Sequence, residues 1–346
     1  SGFVNMQIPG TINVLVKWCY FLVLAGALFL SIRSQGQNET FKKLLVAFVM
    51  PISLQVFSVL LGNAKAAEAD GSVSYIGGYN HEAAFSMIIV SFIFVVGLVE
   101  RSSIKFRTSL FTLAVFLLVL VNYRTAILTI LPIAAVFYFS LVEQRLRPSQ
   151  KAPVLTIVTM LFALVFLGLS LTMQERFADV GLMLGNLDLI TKAPIYFSET
   201  EKDIMSARVY IWSQYINAFN NADLLHKLLG FGPDSWKGVF AKYAHNTFVS
   251  NLYEYGYVGF YSFIGMMLFA LKEAFKMHNR NLAKIVGLSI VGFLIMNLAT
   301  MPLWNIEGLI FFAIVVGTVF SSSKQVDSVN SNVTSASEIR KRQTVI

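Results

Sequence analysis

The chain has 346 residues, 56% of them hydrophobic and only 13% charged, with a mean hydropathy of +0.65. That balance excludes an ordinary soluble domain. The formal charge of +8 does not argue for nucleic acid, because the basic residues fall mainly in short segments between apolar blocks, where they serve membrane topology.

Taken in chain order, nine apolar spans are predicted at about 12–31, 43–62, 83–99, 108–122, 125–142, 153–173, 246–271, 285–301 and 304–320. A helix needs about 20 apolar residues to cross roughly 30 Å of hydrocarbon, and the blocks lack the polar/apolar alternation of an outer-membrane barrel. The fourth and fifth are separated only by Tyr123 and Arg124, which predicts a tight hairpin or a helix broken at the membrane face. One set of inter-span segments carries Arg33, Lys42, Lys43, Arg101, Lys105, Arg107, Arg145, Arg147, Lys151, Lys272, Lys276, Arg280 and Lys284, whereas the opposite short loops carry only Lys65 and Arg124. The first set is therefore expected to be cytoplasmic, with the chain's N-terminus and residues 174–245 outside. The start, Ser-Gly-Phe-Val, has neither an initiator Met nor a signal-peptide pattern, as expected of a processed or truncated chain.

The predicted fold class is all-α: a polytopic transmembrane helical bundle of about nine spans with one long extracytoplasmic loop carrying amphipathic helices. Spans one to six occupy residues 1–173, the loop 174–245, spans seven to nine 246–320, and a disordered cytoplasmic tail rich in Ser and Asn 321–346. Within the loop, Ile204, Arg208, Trp212, Tyr215, Ile216 and Phe219 recur at helical spacing, which predicts an amphipathic helix lying along the membrane surface. Leu228 to Trp236 reads Leu-Leu-Gly-Phe-Gly-Pro-Asp-Ser-Trp, a sharp Gly/Pro turn.

Polar residues gather where spans meet water on the outer face. Arg124 is a charge at a span edge; it either snorkels or binds a ligand. Arg208 lies on the amphipathic helix, where a solvated arginine is the bland alternative. A guanidinium fork suits phosphate oxygens, so two such arginines can hold a pyrophosphate. His245, in Tyr-Ala-His-Asn-Thr just before the seventh span, sits at a helix N-terminus, where the dipole favours the neutral imidazole that can accept a hydroxyl proton; simple capping is its alternative. Asn246 is the predicted N-cap or an orienting partner. His81 and Glu82 end a Gly-rich turn and either contact substrate or cap the third span. Glu254, two helical turns after His245, is a functional acid or faces a wet cavity. Cys19 alone builds neither a disulfide nor a Cys metal site. The four histidines are scattered, and no Gly-rich nucleotide loop occurs, so neither a metal nor a nucleotide cofactor is expected.

The run from Ser206-Ala-Arg-Val-Tyr-Ile-Trp212 through Leu229-Gly-Phe-Gly-Pro-Asp234 to Ala244-His-Asn-Thr-Phe-Val-Ser-Asn-Leu-Tyr-Glu-Tyr-Gly-Tyr-Val-Gly259 resembles the O-antigen polymerase and ligase superfamily, the Wzy-type enzymes of bacterial surface polysaccharides. Tyr123-Arg-Thr-Ala126 matches the family's further outer-face arginine. The resemblance implies an inverting, metal-independent transfer of a glycan from an undecaprenyl-pyrophosphate-linked donor to a glycan acceptor, at the outer face of the bacterial cytoplasmic membrane. It implies that Arg124 and Arg208 stabilise the departing pyrophosphate and that His245 is the general base. Asn246, Trp212, His81 and Glu254 are expected at the substrate, and a chain-length regulator and a flippase as partners. The Ala-His-Asn-Thr form favours a polymerase of repeat units over a ligase or a protein O-oligosaccharyltransferase. The competing class, a transporter of the same lipid-linked sugar, calls for mid-bilayer ionisable residues and pseudo-repeats; the span interiors carry only Lys17, Glu254 and Glu307.

Overall fold

The computed structural model describes residues 1–65, 73–100, 104–172 and 174–322. From residue 323 onward the predicted disordered tail lies outside the described residues. Helices form at the nine predicted spans: α1 (Ile8–Gln35), α2 (Gln37–Leu60), α3 (Glu82–Leu98), α4 (Arg107–Val121), α5 (Arg124–Arg145) and α6 (Pro148–Thr172). The loop region then adds α7 (Gln174–Gly185), α8 (Glu199–Lys202), α9 (Arg208–Asn220) and α10 (Leu224–Leu229). The chain continues with α11 (Thr247–Phe275), α12 (Arg280–Ala299) and α13 (Ile306–Ser322). Six of these, α1, α2, α5, α6, α11 and α12, are long and apolar enough to cross a bilayer; α3, α4 and α13 are apolar but shorter. The protein is an all-α, multi-pass membrane protein.

The chain divides into two compact units. One contains residues 19–134, 267–293 and 304 onward. Its centre is α3, apolar all round and buried along nearly its whole length, as a helix without a polar face must be. Phe92 meets Phe48 of α2, and Phe94 meets Phe311 of α13 at 5.6 Å. Phe293 and Phe21 stack on Phe312 at 5.5 and 5.3 Å. Arg107 directs its Nε and Nη2 to the carbonyl oxygens of Val96 and Gly97, at 3.0 and 2.6 Å, satisfying acceptors that the end of α3 leaves open. The Gly-rich segment before α3 is held by buried Gln55, whose Nε2 donates to the carbonyls of Tyr75 and Leu117. The turn between α4 and α5 is made by Asn122 in the left-handed region at φ 58°.

The other unit contains residues 1–18, 135–266 and 294–303. Here α9 departs from expectation. Its aromatic face does not lie on the membrane surface: Trp212, Tyr215 and Phe219 are buried against other segments of the same unit, Tyr215 contacting Phe240 and Tyr253 at 4.2 and 5.2 Å. Burial against protein serves the same apolar stripe as well as lipid does, so periodicity alone does not distinguish them. Exposed apolar residues of the loop lie elsewhere, among them Leu182, Leu184, Leu187, Leu224 and the pair Ile195–Tyr196, the last two 85% and 73% exposed.

The seventh span is also not the continuous helix predicted over 246–271. α11 breaks at Gly256, whose φ of 65° and ψ of −162° are not helical. A break frees the carbonyls that would have bonded four residues on, and these need new donors. Phe231 N–H donates to Tyr253 O and Gly232 N–H to Glu254 O, both at 2.9 Å. The Gly-Phe-Gly-Pro turn thereby caps the broken helix. Backbones must come very close for this: a Cβ on Gly256 would lie 2.4 Å from Leu228 O, and one on Gly230 2.3 Å from the carbonyl carbon of Glu254. Residues 257–275 still give about 28 Å of helix, a membrane's thickness by themselves.

Gly256→Ala and Gly230→Ala are each expected to destabilise the protein by roughly 3 kcal/mol or more, through overlap and positive φ. Gly265→Ala, with nothing within 4 Å of its added Cβ, serves as the control and is expected to be neutral or stabilising by up to about 1 kcal/mol. Thermal unfolding of the detergent-solubilised variants measures both.

Candidate functional site

Arg208 is the first residue of α9, and the chain reaches it through an unusual turn. Met205, Ser206 and Ala207 all have positive φ, at 53°, 55° and 66°. The predicted start of the helix at Ile204 is therefore too early, because these left-handed residues separate Ile204 from it. Left-handed backbone costs non-glycine residues roughly 1–2 kcal/mol each, so the surroundings must impose it. Met205 N–H donates to the Asp179 carboxylate of α7 at 3.1 Å, and a small core of Leu189, Phe197 and Val209 packs Ile204, Met205 and Tyr210. Ser198 and Glu201 form a capping box on α8. Lys192 donates to both Glu201 carboxylate oxygens at 2.8 Å, and that hydrogen bond holds the Glu201 carboxyl below its ordinary value. Arg208 is half-buried. α9 has no side-chain N-cap, Ala207 occupying that position.

One turn along, Trp212 ties this helix to the segment that carries His245. Its Nε1 donates to Ala244 O at 2.8 Å. Tyr215 adds a second tie, its hydroxyl donating to Lys242 O at 3.0 Å. Burial first, and then the charge of Glu254, push the Tyr215 phenol well above its usual value, so it remains a donor. Positions 208, 212 and 215 share one helix face, so Arg208 stands at the end of the face that grips residues 242–244.

His245 is also left-handed, at φ 50°, and its ring lies 3.8 Å from that of Tyr243, centroid to centroid. Asn246 is the N-cap of α11: its Oδ1 accepts from Phe248 N and Val249 N at 2.9 and 3.2 Å. Thr247 then anchors the helix to α12, its hydroxyl donating to Asn297 Oδ1 at 2.6 Å. With Asn246 and Thr247 buried, the half-buried His245 is the residue of this trio that retains exposed surface. Glu254 closes the short helix that His245 opens. Its carboxylate is wholly enclosed and neither oxygen has a hydrogen-bond partner, so in this conformation it is not at a surface that a substrate reaches.

Arg208, Trp212, His245, Asn246 and Glu254 thus share one unit, whereas Arg124 and His81 belong to the other. Arg124 opens α5 and is half-buried. His81 caps α3, its Nδ1 accepting from Ala83 N at 3.1 Å, and Glu82 pairs with Lys65 at 2.9 Å. Nearby, the Tyr79 hydroxyl bonds the Glu307 carboxylate, and burial followed by that bond raises the Tyr79 phenol well above its ordinary value. Among the described residues no three His, Cys, Asp or Glu side chains gather to hold a metal ion. The break at Gly256, the left-handed turn before Arg208 and the Thr247–Asn297 anchor have no periodic signature; the glycines of Glu-x-Gly-x-x-Gly were the only hint of the first.

Residues 109–264 match the family described as O-antigen ligase, a stretch that contains Arg124, Arg208, Trp212, His245, Asn246 and Glu254. No curated protein matches the chain.

Trp212→Phe removes the donor to Ala244 and replaces the buried indole by a smaller ring, with an expected loss of about 2 kcal/mol or more in thermal unfolding. Ala207→Gly relieves left-handed strain and is expected to stabilise by about 1 kcal/mol; an unchanged or lower unfolding midpoint would show that the turn is not strained.

Proposed function

We propose, from the match of residues 109–264 to the family described as O-antigen ligase, that the protein is a polysaccharide-biosynthesis enzyme of the O-antigen polymerase and ligase superfamily and that it polymerises undecaprenyl-pyrophosphate-linked repeat units of a surface polysaccharide. The reading sets the site on the outer face of the bacterial cytoplasmic membrane, with residues 174–245 extracytoplasmic and the C-terminus cytoplasmic, in keeping with the positive-inside bias. The observation that carries it is the double tie of Trp212 and Tyr215, which fixes the helix of Arg208 to the segment of His245.

In the proposed step the acceptor hydroxyl oxygen attacks the anomeric carbon of the donor sugar. The bond from that carbon to the pyrophosphate oxygen breaks, undecaprenyl pyrophosphate departs, and the hydroxyl proton passes to the His245 imidazole. Arg208 and Arg124 offset the charge that develops on the diphosphate, aided at Arg208 by the uncapped, positive end of α9. Direct displacement inverts the anomeric centre, and offsetting the charge by guanidinium groups removes the need for a metal. Asn246 and Trp212 set the position of His245, and His81, in the same unit as Arg124, is a further sugar contact. A flippase that delivers the donor and a chain-length regulator are the partners this activity calls for.

A ligase that moves finished glycan to a lipid acceptor is the second reading, favoured by the description of the matched family; a protein O-oligosaccharyltransferase differs only in its acceptor. In a deletion strain, mass spectrometry of lipid-linked glycans separates these readings: single repeat units accumulate if polymerisation is lost, full-length polymer if ligation is lost. Purified protein given a defined undecaprenyl-linked repeat is expected to extend it with or without chelator. Arg208→Ala and His245→Ala should each lower the rate by about 10²-fold or more without loss of membrane insertion, and Arg124→Lys should fail to restore full activity, since an ammonium lacks the guanidinium fork. Full activity in any of these variants removes that residue from the mechanism.

A further inference from the structure

The Gly-Phe-Gly-Pro turn donates to the broken end of α11 on one side, and on its other side it is held by residues that the transfer step does not use. Residues 1–7 fold into a loop against the first turn of α1. Asn5 N donates to Ser1 O at 3.0 Å and Gln7 N to Gly2 O at 2.9 Å, with Met6 left-handed at φ 54°. Gly2 lies so close to α1 that a Cβ there would meet Thr11 Oγ1 at 1.8 Å, and that hydroxyl itself donates to Gln7 O at 2.7 Å. The loop is therefore built onto α1 rather than trailing from it.

Two side chains of this loop reach the turn and the break. The Asn5 amide nitrogen donates to Gly230 O at 2.8 Å and to Ser1 O at 3.0 Å. Both neighbours are carbonyl oxygens, which only accept, so the nitrogen of the amide and not its oxygen must face them. The Ser1 hydroxyl donates to Glu254 O at 2.7 Å, the same oxygen that accepts from Gly232 N at 2.9 Å. Close packing adds to these bonds: a Cβ on Gly232 would lie 2.7 Å from Gln7 Cγ and 3.4 Å from Asn5 Cβ, and one on Gly10 2.1 Å from Pro233 O. With no side chains at 230 and 232 to pack, the turn is kept in place by what bonds to its backbone. Direct contacts thus join residues 1–10, the turn and the last residues of the short helix 247–255, all within one unit.

We propose that Asn5, with Ser1 beside it, is a positioning residue that clasps the turn onto the break and thereby sets the short helix 247–255, which has His245 at its head. The position of His245 affects the rate only if it is the general base, so the kinetic half of the inference rests on the function proposed above. Trp212 and Thr247 hold the head of that helix, and the turn with its clasp holds the tail. Residues 247–255 span about 12 Å, so a displacement of the tail tilts the helix about its anchored head and turns His245 out of line.

The test compares Asn5→Asp and Asn5→Ala with the parent protein on the full chain. Asn5→Asp keeps the shape but sets a carboxylate oxygen against two carbonyls, whereas Asn5→Ala only removes the donors. In hydrogen–deuterium exchange of the detergent-solubilised protein, peptides covering 228–236 and 247–256 are expected to exchange about tenfold faster in Asn5→Ala, and faster still in Asn5→Asp, with α3, in the other unit, unchanged. Well below the unfolding temperature of each variant, kcat is expected to fall about tenfold at unchanged KM. A contact that only stabilises leaves the kcat of the folded protein as it was, so unchanged kcat in both variants overturns the positioning role. Exchange over 228–256 equal to the parent's, or Asn5→Asp tolerated as well as the parent residue, overturns the clasp. Should Asn5→Asp fail to accumulate in membranes, Asn5→Ala carries the same measurements. Exchange needs no glycan: faster local exchange in a protein whose parent form transfers no sugar leaves the clasp standing and overturns the glycosyl-transfer reading alone.

Discussion

A helix that breaks at a membrane must find new donors for the carbonyls it releases, and that requirement organises the unit that carries His245. The freed oxygens of Tyr253 and Glu254 are met by the amides of Phe231 and Gly232. Only a chain without side chains at 230 and 256 comes close enough to deliver them. The break thereby fixes the Gly-Phe-Gly-Pro turn, the turn fixes the face of α1 that contains Gly10 and Lys17, and the short helix 247–255 is left as a separate piece with His245 and Asn246 at its head. Three sequence features that look independent, the Gly/Pro turn, the Glu-x-Gly string and the His-Asn pair, are parts of one packing solution.

Backbone strain concentrates at the same place. Met205, Ser206, Ala207, Asp234 and His245 are all non-glycine residues with positive φ: three precede Arg208, one is His245, and Asp234 lies in the Gly-Phe-Gly-Pro-Asp turn. Such conformations persist only where neighbours over-determine them. Asp179 holds the first group through the Met205 amide, Trp212 grips the residue before His245, and Asn246 caps the residues after it. Rigid placement of Arg208 and His245 is what the proposed displacement at an anomeric carbon demands, because charge offset and proton acceptance help only when the groups are aimed before the reaction.

The spans were legible because bilayer thickness sets a length that composition reveals directly, and all nine predicted segments are helical. Of the candidate site, the sequence made legible an arginine on a loop helix and Asn246 as the N-cap of the next one, but not that Arg208 is the first residue of its helix. The surface assigned to α9 was not. Its stripe of Trp212, Tyr215 and Phe219 has the period of a helix with one apolar face, but that period does not say whether lipid or protein covers the face. The function of the tryptophan depended on a partner 32 residues away, to which no local pattern points. Arg107, counted at first only as a topological charge, also closes the end of α3, since positive charge near a membrane edge serves both purposes.

By itself the sequence determined that this protein is helical and lives in a membrane, where its apolar helices run and where short motifs interrupt them. Those properties follow from hydrophobicity and from the few conformations Gly, Pro and Asn favour, all of them local. Only the tertiary structure decided that α11 is two helices, that Arg208 is reached through left-handed backbone, and that Gly10 of α1 packs on the turn covering Glu254. Each of those depends on which distant segment supplies a hydrogen bond or packs closely against it, and long-range pairing of that kind leaves no periodic trace in the chain.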